Sequence, residues 1–523
     1  MNEDLAAAVD DVLATDAERF QERVDEEVEV IVEELRDGTF DNPQAILGLE
    51  YEFYAVADPR PESRQTRSEQ DAGDTCALMR VPRRLLELIG FEKELGLHNA
   101  EMTVSPQPMN SHGIAAQEEE VKARLSTALE TAGAEGMRLV SDGMWTIPPA
   151  GETAASYLTD SVEDRGVRIA SNMSDSVRYH AMANTDRADV AGMRLDAPHV
   201  TLDASTVMPE SLITSIQPHY QVPQAVDLPG YFRYALRVAG PILALCVNSP
   251  FFPPDLYDED ADPEAILSDA WMEHRISVFE TVLNAEHDTA GKVRFPRDIS
   301  TVEEAVQRIA EDDTFVPMPV EKGDRFDDKF AHFRLKHGTF WRWVRPVFGG
   351  PDRSSANARI EFRPVAAQPT VRDSVAVLAT FAGLMESLPR LEHPVSDMDW
   401  DVARDNFYAA MRDGLDADLR WITNDGEPTT EFDAMYADLF DHAEAGLQAR
   451  GLSDEEAAKY LWPLRQRARH RLTPADWKHE QVRKRLYNGD TFEAAVYGMQ
   501  REYVDRQRDS LIDGSFADWV DDR

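Results

Sequence analysis

The sequence has almost no cysteine, since Cys76 and Cys246 are the only two among 523 residues. Two thiols cannot build a disulfide framework, and they cannot supply the ligands of a cysteine-rich zinc site. Both features are therefore excluded, and each cysteine is expected to be an ordinary buried thiol.

Positive charge is also scarce. The chain carries 54 basic residues, nine of them lysine, against 97 acidic residues, and its formal net charge is −43. A field of this sign repels nucleic acids and anionic membranes, so neither is expected as a partner. A surface this acidic and poor in lysine predicts a protein adapted to concentrated salt, where screening removes the self-repulsion.

Long apolar runs and the common nucleotide motifs are missing too. No apolar run reaches the roughly 18 residues of a membrane span, and "MNEDLAAAVDD" lacks the basic start and apolar core of a signal peptide. We therefore expect a cytoplasmic protein. The sequence contains no GxxxxGK[ST] loop, GxGxxG turn, GxSxG elbow or HExxH helix. A bound nucleotide would have to be held by metal ions and arginines instead.

The order of the remaining patterns predicts an α+β fold. Residues 1–37 have the apolar spacing of an amphipathic helix, and residues 58–75 form a polar loop. Strand patterns interrupted by helices follow, and from about Asp373 nearly every window is helical. The C-terminal helices are expected to pack on the catalytic domain or on a second subunit, which leaves a homo-oligomer open. The predicted segments are an N-terminal helical segment (1–40), a catalytic domain (41–395) and a helical C-terminal extension (396–523).

The stretch "LGLEYEF" places two glutamates in an apolar strand pattern. On a strand, alternate side chains point to opposite faces, so Leu49, Tyr51 and Phe53 share one face while Glu50 and Glu52 share the other. The apolar face must be buried against a core. The two carboxylates on the other face repel each other unless water, a cation or an arginine compensates them.

Three more segments repeat this pattern with chemically similar polar faces: "LHNAEMTV", "SIQPHYQV" and "ARIEFRPV". Their polar faces carry Glu101, then Gln217 and His219, then Glu361 and Arg363. One such segment alone is typical of a half-solvated antiparallel strand. Together they hold an excess of carboxylates and one imidazole, a donor set that suits magnesium or manganese.

The spacing of these groups points to phosphoryl transfer. Glutamates two apart on a strand, such as Glu50 and Glu52, can hold neighbouring metal ions. An arginine on the same face adds a fixed cation for an anionic oxygen. We interpret the four strands as a site that moves a phosphoryl group off a nucleotide. Pro218, directly before His219, predicts an edge strand or a bulge at that point.

Seven segments occur in the order seen in the glutamate–cysteine ligase family, and the chain resembles the carboxylate–amine ligase branch of that family over about residues 45–390. In chain order they are GLEYEF (Gly48–Phe53), AEMTVSPQP (Ala100–Pro108), VRYHAM (Val177–Met182), SIQPHYQVP (Ser215–Pro223), NSPFF (Asn248–Phe252), GTFWRWVRP (Gly338–Pro346) and RIEFRPVAAQPTV (Arg359–Val371).

The resemblance implies a fold and a reaction. The expected fold is a glutamine-synthetase-like antiparallel sheet that forms a half-barrel active site and is packed by helices. The expected enzyme is an ATP-dependent carboxylate–amine ligase that uses Mg²⁺ or Mn²⁺ and forms an amide through an acyl phosphate. Its partners would be small molecules, namely an amino acid, an amine and ATP.

The resemblance also assigns roles by motif position. Arg363, Glu52 and Glu361 would be catalytic, while Gln217 and Arg363 would contact the nucleotide. Arg178 and Arg345 would hold substrate or nucleotide anions. The implied metal ligands are Glu50, Glu52, Glu94, Glu101, His219 and Glu361.

Two alternatives to the ligase stay open from the residues themselves. A metal-dependent phosphohydrolase would use the same carboxylates without an amine acceptor. A non-catalytic relative would keep the fold for binding or assembly.

Overall fold

The computed structural model describes residues 3–58, 76–185, 193–284, 291–321 and 323–520. All but the first residue of the predicted loop at 58–75 lies outside these ranges. Within them no helix combines the length and the apolar composition needed to cross a membrane.

The strands and helices alternate through the first three quarters of the chain, and helices follow. The strands are β1 (Ile46–Ala57), β2 (Asn99–Thr103), β3 (Gln107–Pro108), β4 (Met137–Val140), β5 (Ser161–Asp164), β6 (Val167–Ala170), β7 (Arg194–Ala197), β8 (Val200–Asp203), β9 (Ile216–Val222), β10 (Val344–Gly349), β11 (Asn357–Phe362), β12 (Trp421–Ile422) and β13 (Pro428–Thr429). The α-helices are α1 (Glu3–Leu13), α2 (Ala17–Arg36), α3 (Arg83–Ile89), α4 (Ser111–Ala134), α5 (Ala154–Thr159), α6 (Val177–Met182), α7 (Leu228–Cys246), α8 (Pro263–Asp269), α9 (His274–Leu283), α10 (Val302–Glu311), α11 (Ala331–His337), α12 (Val371–Ser387), α13 (Trp400–Asp413), α14 (Phe432–Ala449), α15 (Asp454–His470), α16 (Pro474–Tyr487) and α17 (Phe492–Ser510).

One antiparallel sheet organises the fold, with strand order β10-β11-β9-β1-β2 and with β3 and β4 paired to the ends of β1. The predicted alternation of β1 is confirmed, because the four apolar side chains of its predicted core face are buried. These are Leu47, Leu49, Tyr51 and Phe53, none more than 1% exposed. The expected α+β fold, with a curled antiparallel sheet and a helical C-terminal region, is confirmed.

The strand with the proline, β9, is interior and lies opposite a bulge. In β9, His219 lies opposite Glu361 of β11, whereas Ser215 lies opposite Ala366. Between these two pairs β9 advances four residues, whereas the segment that continues β11 advances five. One extra residue is therefore inserted on the β11 side. Pro218 sits at this interruption, where its missing N–H breaks no regular ladder. The predicted bulge is therefore present, on a strand that is not an edge.

Long buried helices cover the apolar face of the sheet. Phe362 of β11 stacks on Phe381 of α12 with ring centroids 4.4 Å apart. Tyr220 of β9 donates a hydrogen bond to Glu386 of the same helix, 2.7 Å from Oη to Oε1. This packing fixes which face of the sheet is buried, and it leaves the polar face free for chemistry.

The C-terminal helices are tied into the core behind β1. The ammonium of Lys478, in α16, pairs with Asp142 and donates to the Asn248 carbonyl at 2.7 Å. Asp142 also accepts from the Tyr54 hydroxyl of β1 at 3.2 Å and from Gln500 of α17 at 3.1 Å. The predicted boundary between residues 395 and 396 stays a prediction, but the two sides are joined by buried ionic and polar contacts.

A second polar cluster fastens α14 to the turn after α12. His393 Nε2 donates to Asp438 Oδ2 at 3.0 Å, and the His442 ring packs edge-on against His393 with centroids 4.4 Å apart. These three residues offer metal-type donors within 4.8 Å of one another. However, His393 Nδ1 accepts the Val395 N–H at 3.1 Å, so the proton sits on Nε2 and faces Asp438. We assign the cluster a structural role.

The predicted N-terminal helix is two helices. Helix α1 ends at Leu13, and α2 begins after Asp16, whose carboxylate accepts the backbone N–H groups of Glu18 and Arg19. An aspartate that can satisfy these free donors favours a helix start, and it divides the amphipathic stretch. Both cysteines are free and buried, as expected.

Replacing Lys478 by methionine should destabilise the protein by about 3–5 kcal/mol, because Asp142 would stay buried without its cation. Chemical denaturation at fixed salt measures the free energy of unfolding. Lys459→Met is the matched control, since Lys459 pairs with Glu118 at 2.7 Å but is about half exposed and should cost less than about 1 kcal/mol. Equal effects of the two variants would show that the buried pair does not anchor the C-terminal helices.

Candidate active site

The polar face of the sheet gathers the side chains singled out in the four strand patterns. Glu50 and Glu52 come from β1, Glu101 from β2, His219 from β9 and Glu361 from β11. The registers place Glu101 directly opposite Glu52 and His219 directly opposite Glu361. Like charges that face each other across a strand pair are destabilising, so this face requires cations.

One half of the face is balanced by cationic groups. The His219 Nε2 atom lies 3.2 Å from Glu50 Oε1, and Glu50, His219 and Glu361 each offer a ligand atom within 4.8 Å of the others. Arg345 Nε donates to Glu361 at 2.8 Å, and Arg363 also pairs with Glu361. Burial alone would raise the pKa of Glu361, but the two guanidinium groups hold it well below its ordinary value. This half therefore stays ionised.

The other half contains carboxyl groups that form no ion pair with any described residue. Burial and the charge of Glu94 raise the pKa of Glu52 to about 7. Burial raises the pKa of Glu94 as well, although a hydrogen bond with Glu101 opposes the shift. The pKa of Glu101 is raised well above its ordinary value by burial and by the neighbouring Glu94, Glu50 and Glu52. Without a cation, burial and mutual repulsion favour the protonated form of these carboxyls.

A chain of hydrogen bonds joins the two halves. Arg363 Nη1 donates to Gln217 Oε1 at 2.6 Å, and Gln217 Nε2 donates to Glu52 Oε1 at 2.8 Å. The Ser215 backbone N–H donates to the other oxygen of Glu52 at 2.6 Å. Burial disfavours the charge on Arg363, but Glu361 more than compensates and raises its pKa. The guanidinium is a permanent, fixed cation at the centre of the face.

The bulge places Arg363, and a second arginine supports it. Arg363 lies in the stretch that carries the extra residue opposite β9. The buried Arg275 of α9 donates to the carbonyl oxygens of Arg363 and Pro364 at 2.8 and 2.5 Å. The backbone of the bulge is thereby held from behind, while the Arg363 side chain faces the carboxylates.

The two arginines expected to bind anions differ in their surroundings. Arg345 is engaged, since it bonds Glu361 and donates to the His337 carbonyl at 3.2 Å. Arg178 of α6 is half-buried, and within the described ranges its guanidinium group has no hydrogen-bond or ion-pair partner. It lies next to Gly338, where an added Cβ would come within 2.7 Å of its guanidinium.

Two cavities border this cluster. The first, of about 480 Å³, is lined by Phe333, Phe348 and Arg359 among others. The second, of about 310 Å³, holds the carboxyl-rich half. Glu50 and Arg345 line both cavities. Two molecules, one in each cavity, would therefore approach each other beside Glu50 and Arg345.

Sequence comparison identifies the family. The model of glutamate-cysteine ligase family 2 matches residues 46–510. The chain belongs to this family. The expected resemblance is confirmed, as is the expected class of enzyme, an ATP-dependent ligase that forms a carbon–nitrogen bond. The family match extends through the C-terminal helices, beyond the stretch of 45–390 that the motifs cover.

Solved structures give a weaker likeness. A glutamate–cysteine ligase from Francisella tularensis in complex with AMP is 12% identical, with a TM-score of 0.49, over 92% of this chain and 93% of that one. A bifunctional glutathione synthetase from Pasteurella multocida is also 12% identical, with a TM-score of 0.48, over 92% of this chain and 55% of that one. No protein with a curated description matches the sequence. The family assignment rests on the family model.

The donor set of this family member fits hard divalent cations. Carboxylate oxygens with a single imidazole suit Mg²⁺ or Mn²⁺ better than zinc. Glu50, His219 and Glu361 would hold one ion, since their ligand atoms already converge. Glu52, Glu94 and Glu101 would hold another, since no described residue forms an ion pair with their carboxyls.

Two acidic residues of this site were not found from the sequence, the exposed Glu92 and the half-buried Glu210. Glu210 lines the second cavity with Glu52 and Glu94. It sits in the short 3₁₀ turn Met208–Leu212, where no strand alternation could reveal it. The available signal was a charged residue inside the otherwise apolar run "VMPESLI".

Binding of a divalent cation is expected to release protons, and its affinity should rise with pH through about 7. The cation must displace protons from Glu52, whose pKa is about 7, and from Glu94 and Glu101, whose pKa values are also raised. Titration calorimetry with MnCl₂ in buffers of different ionisation enthalpy counts the released protons. Glu101→Gln should release fewer. Affinity and proton release that do not change between about pH 6 and 8 would contradict this assignment.

Proposed function

We propose that the protein is an ATP-dependent carboxylate–amine ligase of the glutamate–cysteine ligase type, which forms an amide through an acyl phosphate with Mg²⁺. The main support is the convergence of Glu50, His219 and Glu361 beside Arg363, where two cavities meet. Such an arrangement suits the transfer of a phosphoryl group from a nucleotide in one cavity to a carboxylate in the other.

The first cavity suits the nucleotide. Phe333 and Phe348 offer apolar surface for a base, and Arg359 lies at the inner end, with its Nε 3.4 Å from His219 Nδ1. A triphosphate that enters past these groups would reach the shared lining of Glu50 and Arg345. Metal ions and arginines then replace the missing phosphate-binding loop.

The second cavity suits the carboxylate and amine substrates. In the proposed reaction a substrate carboxylate oxygen takes the γ-phosphoryl group and ADP leaves. The amine then attacks the acyl carbon, inorganic phosphate leaves with the C–O bonding pair, and the nitrogen loses a proton. Bound magnesium would neutralise the charge on the phosphoryl oxygens.

The residues of the chain take distinct parts in this scheme. Arg363 is held by Gln217 and Glu361 and would stabilise the charge that develops during both steps. Arg345 positions Glu361 through the 2.8 Å bond. Arg178 has no acidic partner among the described residues, so it is suited to anchor a substrate carboxylate.

The first test is ADP release with MgCl₂, ATP, glutamate and cysteine in concentrated KCl, followed by a panel of other acids and amines. ADP formation should require both an acid and an amine. Glu52→Gln and Glu361→Gln should abolish it while the circular dichroism spectrum stays unchanged. Phosphate release without an amine would instead indicate a phosphohydrolase. Failure of the folded protein to turn over any acid–amine pair would contradict the proposal and favour a non-catalytic relative.

Arg363→Lys should lower kcat by about 10²–10³-fold, a loss typical of removing one donor to a developing anion. A lysine carries the charge but cannot bond Gln217 and Glu361 with a planar fork. Arg353→Lys serves as the control, because Arg353 is an exposed residue that pairs with Glu34 and Asp37. Steady-state kinetics on both variants decides the matter, and wild-type turnover by Arg363→Lys would remove the arginine from the mechanism.

A further inference from the structure

The turn that carries Glu210 is buried except at that residue. All other residues of Met208–Leu212 are buried, and Glu210 is half-buried because it faces the second cavity. The carbonyl oxygen of Ser211 accepts hydrogen bonds from His98 Nε2 at 2.8 Å and from Trp145 Nε1 at 3.3 Å. The backbone is thus fixed, and the Glu210 carboxyl is presented from a rigid support.

The Glu210 carboxyl has no hydrogen-bond donor and no ion-pair partner in the part of the chain that the structure describes. Burial and the charges of Glu94 and Glu52 raise its pKa to about 8. A carboxyl that loses part of its hydration without gaining a partner is costly. Its position in a substrate-sized cavity indicates that a ligand supplies the missing positive group.

Arg178 is an unpaired group of the opposite sign near the same cavity. The described residues give it no acidic partner, although the chain has 97 acidic residues. Tyr179, its neighbour in α6, lines the cavity. Burial raises the pKa of Tyr179, the negative charges of Glu94 and Glu210 raise it further, and Arg178 lowers it. Tyr179 is therefore within electrostatic reach of both Arg178 and Glu210.

We propose that Glu210 binds the positively charged amino group of the carboxylate substrate and thereby selects α-amino acids over simple carboxylic acids. This inference rests on the proposed ligase function and names a specificity residue within its substrate cavity. Arg178 would take the carboxylate that does not react, at the other end of the same zwitterion.

The acid substrate is a better occupant for Glu210 than the attacking amine. The attacking nitrogen must lose its positive charge before it can react, whereas the ammonium group of the acid substrate keeps its charge throughout turnover. A fixed carboxylate therefore stabilises the ammonium group of the acid substrate at every step. Glu52 and Glu94 neighbour Glu101, and these three carboxyls are assigned to a metal ion. Glu210 is assigned to the ammonium group instead.

The experiment compares acids that differ only in the amino group: glutamate with glutarate, and aspartate with succinate. The wild type should prefer the acid that carries the amine. Glu210→Gln should raise KM for that acid by about tenfold to a hundredfold, as expected for the loss of a charged hydrogen bond. Its kcat should change little, and its KM for the acid without the amine should change less than about threefold.

Two controls separate selectivity from other roles. Glu130→Gln removes an exposed carboxylate of α4 that does not line the cavity, and it should leave both KM values unchanged. The Mn²⁺ affinity of Glu210→Gln should equal that of the wild type. A weaker Mn²⁺ affinity of Glu210→Gln would indicate a metal ligand and overturn the inference. An equal rise in KM for both acids of a pair would overturn it in the same way.

The inference and the proposed function can fail separately. If the wild type turns over amino acids but Glu210→Gln keeps the full preference for the amine-bearing acid, only the inference is wrong. If no acid–amine pair is turned over, the proposed function is wrong, and calorimetric binding of glutamate and glutarate to both proteins still tests the residue. The inference would then be overturned if Glu210→Gln bound glutamate as tightly as the wild type. It would also be overturned if the wild type did not bind glutamate.

Discussion

The mutual repulsion of carboxylates held on one face of a sheet is the constraint on which the rest of this structure depends. Glu52 and Glu101 face each other across β1 and β2, and burial prevents water from screening them. The apolar face of the sheet packs against α12 through Tyr220 and Phe362, so the sheet cannot twist the acids apart without exposing its core. The fold thus supplies the rigidity, and cations must supply the charge balance.

The charge balance differs between the two halves of the polar face. Around Glu361 the chain provides its own guanidinium groups, so that half is ionised whether or not a metal is bound. Around Glu101 the neighbouring charges are those of Glu94, Glu50 and Glu52, so that half depends on what binds. Arg363 and Gln217 link the two halves, which means that a change of charge on one side is felt by the group that handles the phosphoryl oxygens.

Much of this site could be predicted from the sequence because strands reveal their faces by alternation. The acids at 50, 52, 101 and 361, together with His219, were found in this way, and Pro218 indicated the bulge that the structure contains. Glu210 could not be found so, because an irregular turn has no period. The Lys478–Asp142 pair was also invisible, since its members lie 336 residues apart and neither belongs to a motif. Asp16 did carry a readable helix-start signal.

The distance along the chain between Asp142 and Lys478 has a consequence for biosynthesis. At ribosomal rates of about 5–20 residues per second, Asp142 would be made roughly 17–67 s before the lysine that neutralises it. Tyr54, which donates to Asp142 from the strand that bears Glu50 and Glu52, waits for the same partner. The nascent polypeptide therefore carries its acidic half-barrel with Asp142 unpaired behind it until α16 emerges, and completion of the acidic face waits for that helix.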